Sequence, residues 1–412
     1  MKIIHTSDWH LGARLHEEER SEEHQAFLDW LLAKIDEIKP DALVVTGDVF
    51  DIKAPSPSVQ EMYYKFLAEV ARHGACRKVV VTAGNHDNAH LLAAPSTVLE
   101  GIGVSVIAVA QDEEACEREV VVVPDASGQP GLVIGAVPFI YPAELSNFGA
   151  ADMDESVERS AKIARGWDKH YTDVLAKAAA RAPEAPLVLT GHCMLAETAV
   201  SDEESERGRT VGGLGAFDPA PLAGADYVAL GHLHRPQAVK GYEEKMFYSG
   251  SPLAMSFDEA KEEKYINVVT LNKKGEKPVV EKCAVPRNVP ILTLQGEPKK
   301  VEVELSRLVA EDGMLRRFVR VRLEGFEGSA DSHWNLIREI VKNSRTLILT
   351  EEDLRPTIRA TAGLGAFKGK SITQIKPREM AEQKLKSSSQ HFSEEEIKIF
   401  MEMFDEVTGG VQ

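Results

Sequence analysis

Five short apolar runs in this 412-residue chain each end in residues able to hold a metal ion. Lys2–Thr6 runs into Asp8-Trp9-His10, Ala42–Thr46 into Gly47-Asp48-Val49-Phe50-Asp51, and Lys78–Ala83 into Gly84-Asn85-His86-Asp87. Leu187–Thr190 ends in Gly191-His192, and Tyr227–Leu230 in Gly231-His232-Leu233-His234. Their tips offer carboxylates, imidazoles and one amide oxygen, with no thiolate. Such a set suits Mn2+, Fe2+ or Zn2+ in a reactive site more than a structural zinc. Asp48 is central among the five tips, and a carboxylate can bridge two ions. Asp8, His10, Asp48 and His234 are therefore assigned to one divalent cation, and Asp48, Asn85, His192 and His232 to a second. Two ions ~3.5–4 Å apart clamp a phosphate and make water a nucleophile, so the expected chemistry is phosphate-ester hydrolysis. His86 adjoins a ligand without being needed as one, and is the candidate to protonate or stabilise the departing oxygen. The other eight histidines (His5, His16, His24, His73, His90, His170, His333 and His391) lie outside the pattern and read as ordinary polar groups.

The elements that must position these tips follow from periodicity. The five runs, β-branched and bounded by glycine, read as buried strands. Helices are expected near Glu22–Lys39, stopped by Pro40, near Ser58–His73 and near Leu91–Leu99, giving a β-α-β-α-β-α start typical of a layered α/β domain. Strands at Val104–Val109, Val120–Val123 and Leu132–Val137 and a long helix near Glu155–Arg181 come next. Residues 196–217, acidic and then glycine-rich, read as a loop between two metal-bearing strands. Tyr248–Pro252 reads as a turn after a strand, and Lys264–Leu271 and Val279–Ala284 as strands closing the sheet.

Pro286 and Pro290 mark a boundary. Beyond it the pattern is β-α-β-α-β: Ile291–Gln295, Val301–Ala310, Phe318–Leu323, Trp334–Lys342 and Thr346–Leu349. The expected organisation is a catalytic domain over 1–285, a small α+β domain over 286–354, a basic linker over 355–376 and a helical segment over 377–412. In the middle strand Val319, Val321 and Leu323 alternate with Arg320 and Arg322, preceded by Arg316 and Arg317, so one face is expected to be apolar and the other basic. The acid-free stretch 355–378 contains Arg355, Arg359, Lys368 and Lys370, candidates for polyanion contact. At the end, Ser393 and Glu396 form a capping box, and Ile397, Phe400, Met401 and Phe404 form an apolar stripe suited to a partner's groove.

Composition bounds the function. At 45.2 kDa and 43% hydrophobic residues the chain should hold two domains with sizeable cores. No run approaches the ~18 apolar residues of a membrane span. The first strand begins at Lys2, so no secretory leader is expected. The four cysteines are scattered without paired spacing, as in reduced cytosolic proteins, and Cys193 reads as a small buried hydrophobe. The net charge of -17 opposes a global field for nucleic acid. Residues 286–412 hold 20 Lys/Arg and 20 Asp/Glu, so the entire acidic excess lies in residues 1–285, where two bound cations would offset part of it.

The order Asp-x-His, Gly-Asp-x-x-Asp, Gly-Asn-His-Asp, Gly-His, Gly-His-x-His resembles the calcineurin-like metallophosphoesterase superfamily, position by position. Asp8-Trp9-His10-Leu11-Gly12, Tyr227–Gln237, and Tyr248–Pro252 followed by Ser256-Phe257 resemble the SbcD family, nuclease subunits of bacterial SbcCD complexes. That resemblance implies a layered β-sandwich flanked by helices, with a capping domain and C-terminal helices. It further implies a manganese-dependent nuclease, acting as an exonuclease on double-stranded DNA ends and as an endonuclease on single strands and hairpins. A partnership with a coiled-coil, SMC-like ATPase, a homodimer within a heterotetramer, and a cytoplasmic, nucleoid-associated location also follow. The terminal stripe would grip the ATPase. Position 51 is Asp where archaeal and eukaryotic relatives carry a histidine, so that residue's role does not transfer. The competing readings are a phosphatase or phosphodiesterase for a small molecule or a protein, and a scaffold without metals. The first has no use for the accessory domain and basic segments; the second conflicts with seven filled ligand positions.

Overall fold

In the computed structural model of the chain, the described residues are 1–353 apart from 17, 113–114, 151–157, 197, 199–215, 312–315, 326–330, 343 and 345–346, together with Phe400. The chain forms two units, Met1–Leu292 and Thr293–Gln412, dividing a few residues beyond the expected boundary.

The first unit is two six-stranded sheets stacked face to face. One has β1 (Lys2–Thr6), β4 (Ala42–Thr46), β5 (Lys78–Thr82) and β6 (Val104–Ile107) in parallel, with β13 (Tyr265–Thr270) and β14 (Val279–Ala284) antiparallel at the β1 edge. The other has β8 (Pro130–Gly135), β9 (Leu187–His192), β10 (Tyr227–Gly231) and β12 (Met246–Tyr248) in parallel, flanked by β7 (Val120–Pro124) and β11 (Gln237–Ala238). A hairpin of β2 (Arg14–Leu15) and β3 (Glu18–Glu19) follows β1.

Alternation along each strand builds three apolar layers. Ile3, Ala42, Val44 and Val80 meet Ile134, Val188, Tyr227 and Ala229 between the sheets. Ile4, Leu43, Val45 and Val81 face outward onto α1 (Ser21–Ile38) and α2 (Pro57–His73) through Phe27, Leu31, Tyr63 and Leu67. On the far side, Val133, Leu189 and Val228 pack on α5 (Pro142–Ala150) and α6 (Arg159–Arg181) through Leu145, Trp167, Tyr171 and Val174. Strands buried on both faces read as continuous apolar runs, which is why β1, β4, β5, β9 and β10 stand out in the sequence. The layered β-sandwich with outer helices is thus the fold of this unit.

Two helical expectations are corrected. Leu91–Leu99 is not one helix but two short ones, α3 (Ala89–Ala93) and α4 (Ser96–Glu100), because Pro95 between them has no amide hydrogen to continue the ladder. The helix expected from Glu155 begins at Arg159, and α5 precedes it, too short and glycine-ended for its period to register. Most of the 196–217 loop lies outside the described residues.

β15 (Ile291–Gly296), whose first two residues fall before the division, forms a sheet with β16 (Arg317–Leu323) and β17 (Leu347–Asp353) of the second unit, β16 being central. Among the described residues up to 353 the helices between these strands are α7 (Pro298–Ala310) and α8 (Asp331–Val341), which matches the expected β-α-β-α-β order. No helix among the described residues is long and apolar enough to cross a membrane.

Two buried histidines outside the ligand set make this fold acid-sensitive. His5, between the sheets, bonds Tyr227 Oη at 2.9 Å and Thr46 Oγ1 at 3.2 Å. His24, on α1, has no hydrogen-bond partner on either ring nitrogen among the described residues. Burial pushes both down to about 3 from the usual 6.5, with the Arg20 charge also acting on His24. Unfolded chains bind these protons near pH 6.5 and the folded chain does not, so stability is lost as pH falls below that value, by about 1.4 kcal/mol per pH unit for each histidine. Urea midpoints of metal-free protein should fall steeply between pH 6.5 and 5, and His24→Leu should make the fall shallower.

Candidate metal centre

The five strand tips converge at one end of the sandwich. The loops after β1 and β4 are zipped together by backbone bonds: Asp8 N to Gly47 O at 3.0 Å, His10 N to Asp48 O at 3.0 Å and Leu11 N to Val49 O at 2.9 Å. Asp8, His10, Asp48 and His232 all have positive φ, between 44° and 95°. Left-handed backbone at four non-glycine residues is strain held by its surroundings and concentrated at the site. Gly84 and Gly231 are glycines because of contact: a Cβ at Gly84 would overlap the Asp48 amide and carboxylate, and one at Gly231 the carbonyl of Thr46.

All seven expected ligands are brought together, and six of them are buried. His10 Nε2 and His234 Nε2 stand 3.1 Å apart, and Asp8, His10 and His234 each offer an atom within 4.8 Å of the others. Asp8, Asp48 and His192 form a second such group. The Asn85 amide oxygen is shared by His192 Nε2 at 3.1 Å and His232 Nδ1 at 2.9 Å. Asp48 lies between the two halves, its Oδ2 3.3 Å from His192 Nε2 and 3.6 Å from His10 Nε2. Donors about 2.1 Å from a common ion at right angles stand about 3 Å apart, so these spacings fit shared cations.

The electrostatics fit as well. Burial and the neighbouring Asp48 charge raise the Asp8 carboxyl against the pull of His192, His234 and His10. Asp48 is held well below the usual range: burial works against it, but the charge and hydrogen bond of His192, with His10 and His86, prevail. His192 is correspondingly pushed up to about 9 against its burial by Asp48, whereas burial and the His192 charge take His232 down to about 3. Buried carboxylates are here drawing protons onto imidazoles, the place that divalent cations would take.

His86 lies beside the donor set. Its amide donates to Asp48 Oδ1 at 2.9 Å, its Nδ1–H donates to the carbonyl of Asp51 at 2.7 Å, and its ring meets His10 edge-on at 4.9 Å. Asp51 brings Oδ1 to 3.3 Å from His10 Nδ1, at the solvent-facing margin of the site.

Three supports were not legible in the sequence. Asp87 accepts from Gly84 N at 2.8 Å, Phe50 N at 2.9 Å and Val49 N at 3.2 Å, tying the β4 and β5 loops; burial and Asp48 push its carboxyl up to about 7. Ser7 Oγ donates to Asp8 Oδ2 and bonds Ser249 Oγ at 2.7 Å. Glu259 lies 3.4 Å from His234 Nδ1 and 2.6 Å from the ammonium of buried Lys264, which also donates to His234 O at 2.9 Å. Against its burial, Glu259 is held far below the carboxylate range by His234 and Lys264, and Glu259 in turn raises His234 against burial and the Lys264 charge. A carboxylate on the far ring nitrogen fixes the tautomer of a metal-facing histidine. Glu259→Gln should weaken Mn2+ binding about 10–100-fold in a calorimetric titration.

The basic residues of the second unit are less open than expected. Arg320 is buried, its Nε 3.4 Å from Thr293 Oγ1, while Arg316, Arg317 and Arg322 are half-buried. Arg317 donates to Leu308 O at 3.0 Å. Tertiary pairing at the centre of a three-stranded sheet has absorbed a face that strand alternation alone would leave to solvent. Arg355, Arg359, Lys368, Lys370, Ile397, Met401 and Phe404, and the Ser393/Glu396 capping box, lie outside the described residues; Phe400 is 46% exposed.

Fold and site together define a metal-dependent phosphoesterase, and residues 1–236 match the calcineurin-like phosphoesterase family. Among curated relatives, the SbcD component of the SbcCD nuclease of Escherichia coli K12 is 30% identical over 95% of both chains. Those of Rhodobacter capsulatus and Bacillus subtilis are 35% identical over 76% of this chain and 77% of theirs, and 32% identical over 71% of each. The chain belongs to the SbcD family of calcineurin-like nucleases.

Proposed function

We propose that this chain hydrolyses DNA phosphodiesters at a two-cation site, as a double-strand exonuclease and a single-strand and hairpin endonuclease, in a complex with an SMC-like ATPase. The observation that carries the reading is the placement of Asp48 Oδ2 between two imidazole-rich donor sets, with His86 anchored beside it. The relatives are named as components of a nuclease complex, and the family resemblance supplies DNA, manganese, the ATPase, the dimeric assembly and the nucleoid setting.

Asp8, His10, Asp48 and His234 would hold one Mn2+, and Asp48, Asn85, His192 and His232 the other. Bound there, the ions supply Lewis acidity that neutralises the phosphate and activates a water. The chain does the rest. The Thr46 carbonyl accepts His192 Nδ1–H at 2.9 Å, which leaves Nε2 to face the centre. His86, with Nδ1 committed to the Asp51 carbonyl, presents Nε2 to the substrate. Attack by water on phosphorus forms one P–O bond and breaks the bond to the departing oxygen, and the proton that the water sheds passes to bulk solvent. The departing alkoxide takes a proton from the His86 imidazolium, which is left neutral. Arg316, Arg317, Arg322 and the basic segment with Arg355, Arg359, Lys368 and Lys370 supply phosphate contacts; Arg320, being buried, serves the sheet. The Ile397–Phe404 stripe docks the ATPase.

Incubating purified protein with Mn2+, end-labelled duplex DNA and a small p-nitrophenyl phosphodiester tests this reading. DNA shortening with two Mn2+ per chain is the expected result; turnover of the small ester alone would replace the nuclease by a small-molecule phosphodiesterase.

A further inference from the structure

A bracket of side chains crosses the mouth of the centre without contributing to the ligand set. It starts from the loop after β4, where Asp51 touches His10 and His86, and Lys53 follows two residues on. The Lys53 ammonium donates to Tyr141 Oη at 3.3 Å and lies 5.3 Å from the centre of that ring. Tyr141 meets Phe139 edge-on at 5.0 Å, and Phe139 meets His192 edge-on at 6.2 Å. Phe139 N donates to Ala83 O at 2.8 Å, which fixes this second loop to the end of β5, beside Asn85 and His86. The bracket thus runs from the neighbour of one donor set to the neighbour of the other.

It sets a cation beside the centre, within residues 1–285, whose net charge is acidic. No carboxylate among the described residues lies within ion-pair distance of Lys53. Nearby Asp51 is directed at His10, and Glu144 accepts the Tyr141 amide at 2.8 Å. A phenol and an aromatic face hold the ammonium without neutralising it, and Tyr141 (37% exposed) and Ile52 (58% exposed) leave it open to solvent. A lysine is a point charge well suited to a phosphate oxygen.

We propose that Lys53, held in place by Tyr141, binds the substrate phosphate adjoining the scissile one. The inference rests on the polynucleotide reading above, since a small diester has no adjoining phosphate. Lys53 is the binding residue and Tyr141 positions it.

The test uses the full chain loaded with Mn2+, a labelled duplex oligonucleotide and a series of KCl concentrations. Lys53→Gln should raise KM about tenfold at low salt, lower kcat less than about threefold, and reduce the slope of log(kcat/KM) against log[KCl] by about one. Lys53→Arg should restore both quantities. Tyr141→Leu should raise KM while keeping the slope near wild type, because the charge remains. Lys53→Met, which retains the aliphatic stem on the ring, is the second variant should Gln disturb the loop; unfolding midpoints and Mn2+ content verify each protein. A salt slope in Lys53→Gln and Lys53→Met equal to wild type, or a loss in kcat at constant KM, overturns the role of Lys53 alone. A wild-type enzyme that turns over the small diester and leaves duplex DNA intact overturns the nuclease reading, and this inference with it.

Discussion

Asp48→Asn should lower DNA cleavage by about 10^3–10^4, equivalent to about 4–5.5 kcal/mol of transition-state stabilisation. The substitution keeps the shape of the side chain and one carbonyl oxygen, so the Oδ1 contact with the His86 amide survives. What disappears is the negative charge on the oxygen that faces both His10 and His192. A neutral amide there cannot balance two divalent cations, and its NH2 group would meet imidazole nitrogens that also need lone pairs for metal. Metal content measured on gel-filtered protein should fall from two Mn2+ per chain to one or none. Retention of both ions with turnover within tenfold of wild type would remove Asp48 from the bridging position.

The second large effect belongs to His86. His86→Gln should leave two Mn2+ bound and reduce kcat on duplex DNA by about 10^2–10^4, the range for a positioned general acid. The decisive comparison is between leaving groups. A deoxyribose alkoxide is strongly basic and needs a proton as the bond breaks, whereas p-nitrophenolate departs without one. The variant should therefore lose far more activity on DNA than on a p-nitrophenyl diester. Equal losses on both substrates would mean that His86 shapes the loop around Asp48 and transfers no proton.

The cluster of donor side chains that the fold gathers was legible in the sequence because each donor follows a strand buried on both faces. Val44, Val80, Val188 and Ala229 announce the strands, and the polar residues after them have little reason to be there except chemistry. Glu259 shows where such reading stops. It stands in an acidic run with Asp258, Glu262 and Glu263, and nothing local distinguishes it; only the fold brings it to His234 and Lys264. Asp87 is hidden differently, since turn residues beside a ligand need no further explanation until their amide partners are seen. The long helix starts later than its periodicity suggests, because period alone does not mark a start and Glu158 at its N-cap makes no side-chain cap bond. Arg320 misled because alternation gives the face and not what covers it.

The strands that present Asp8, His10, Asp48 and Asn85 belong to one sheet, and those that present His192, His232 and His234 to the other. Cations lodged among them would act as rivets through the seam of the sandwich. Occupancy and cohesion then become a single equilibrium, so a cell short of the divalent metal would hold a pool of this chain that is slack as well as silent, and more readily cleared by proteases.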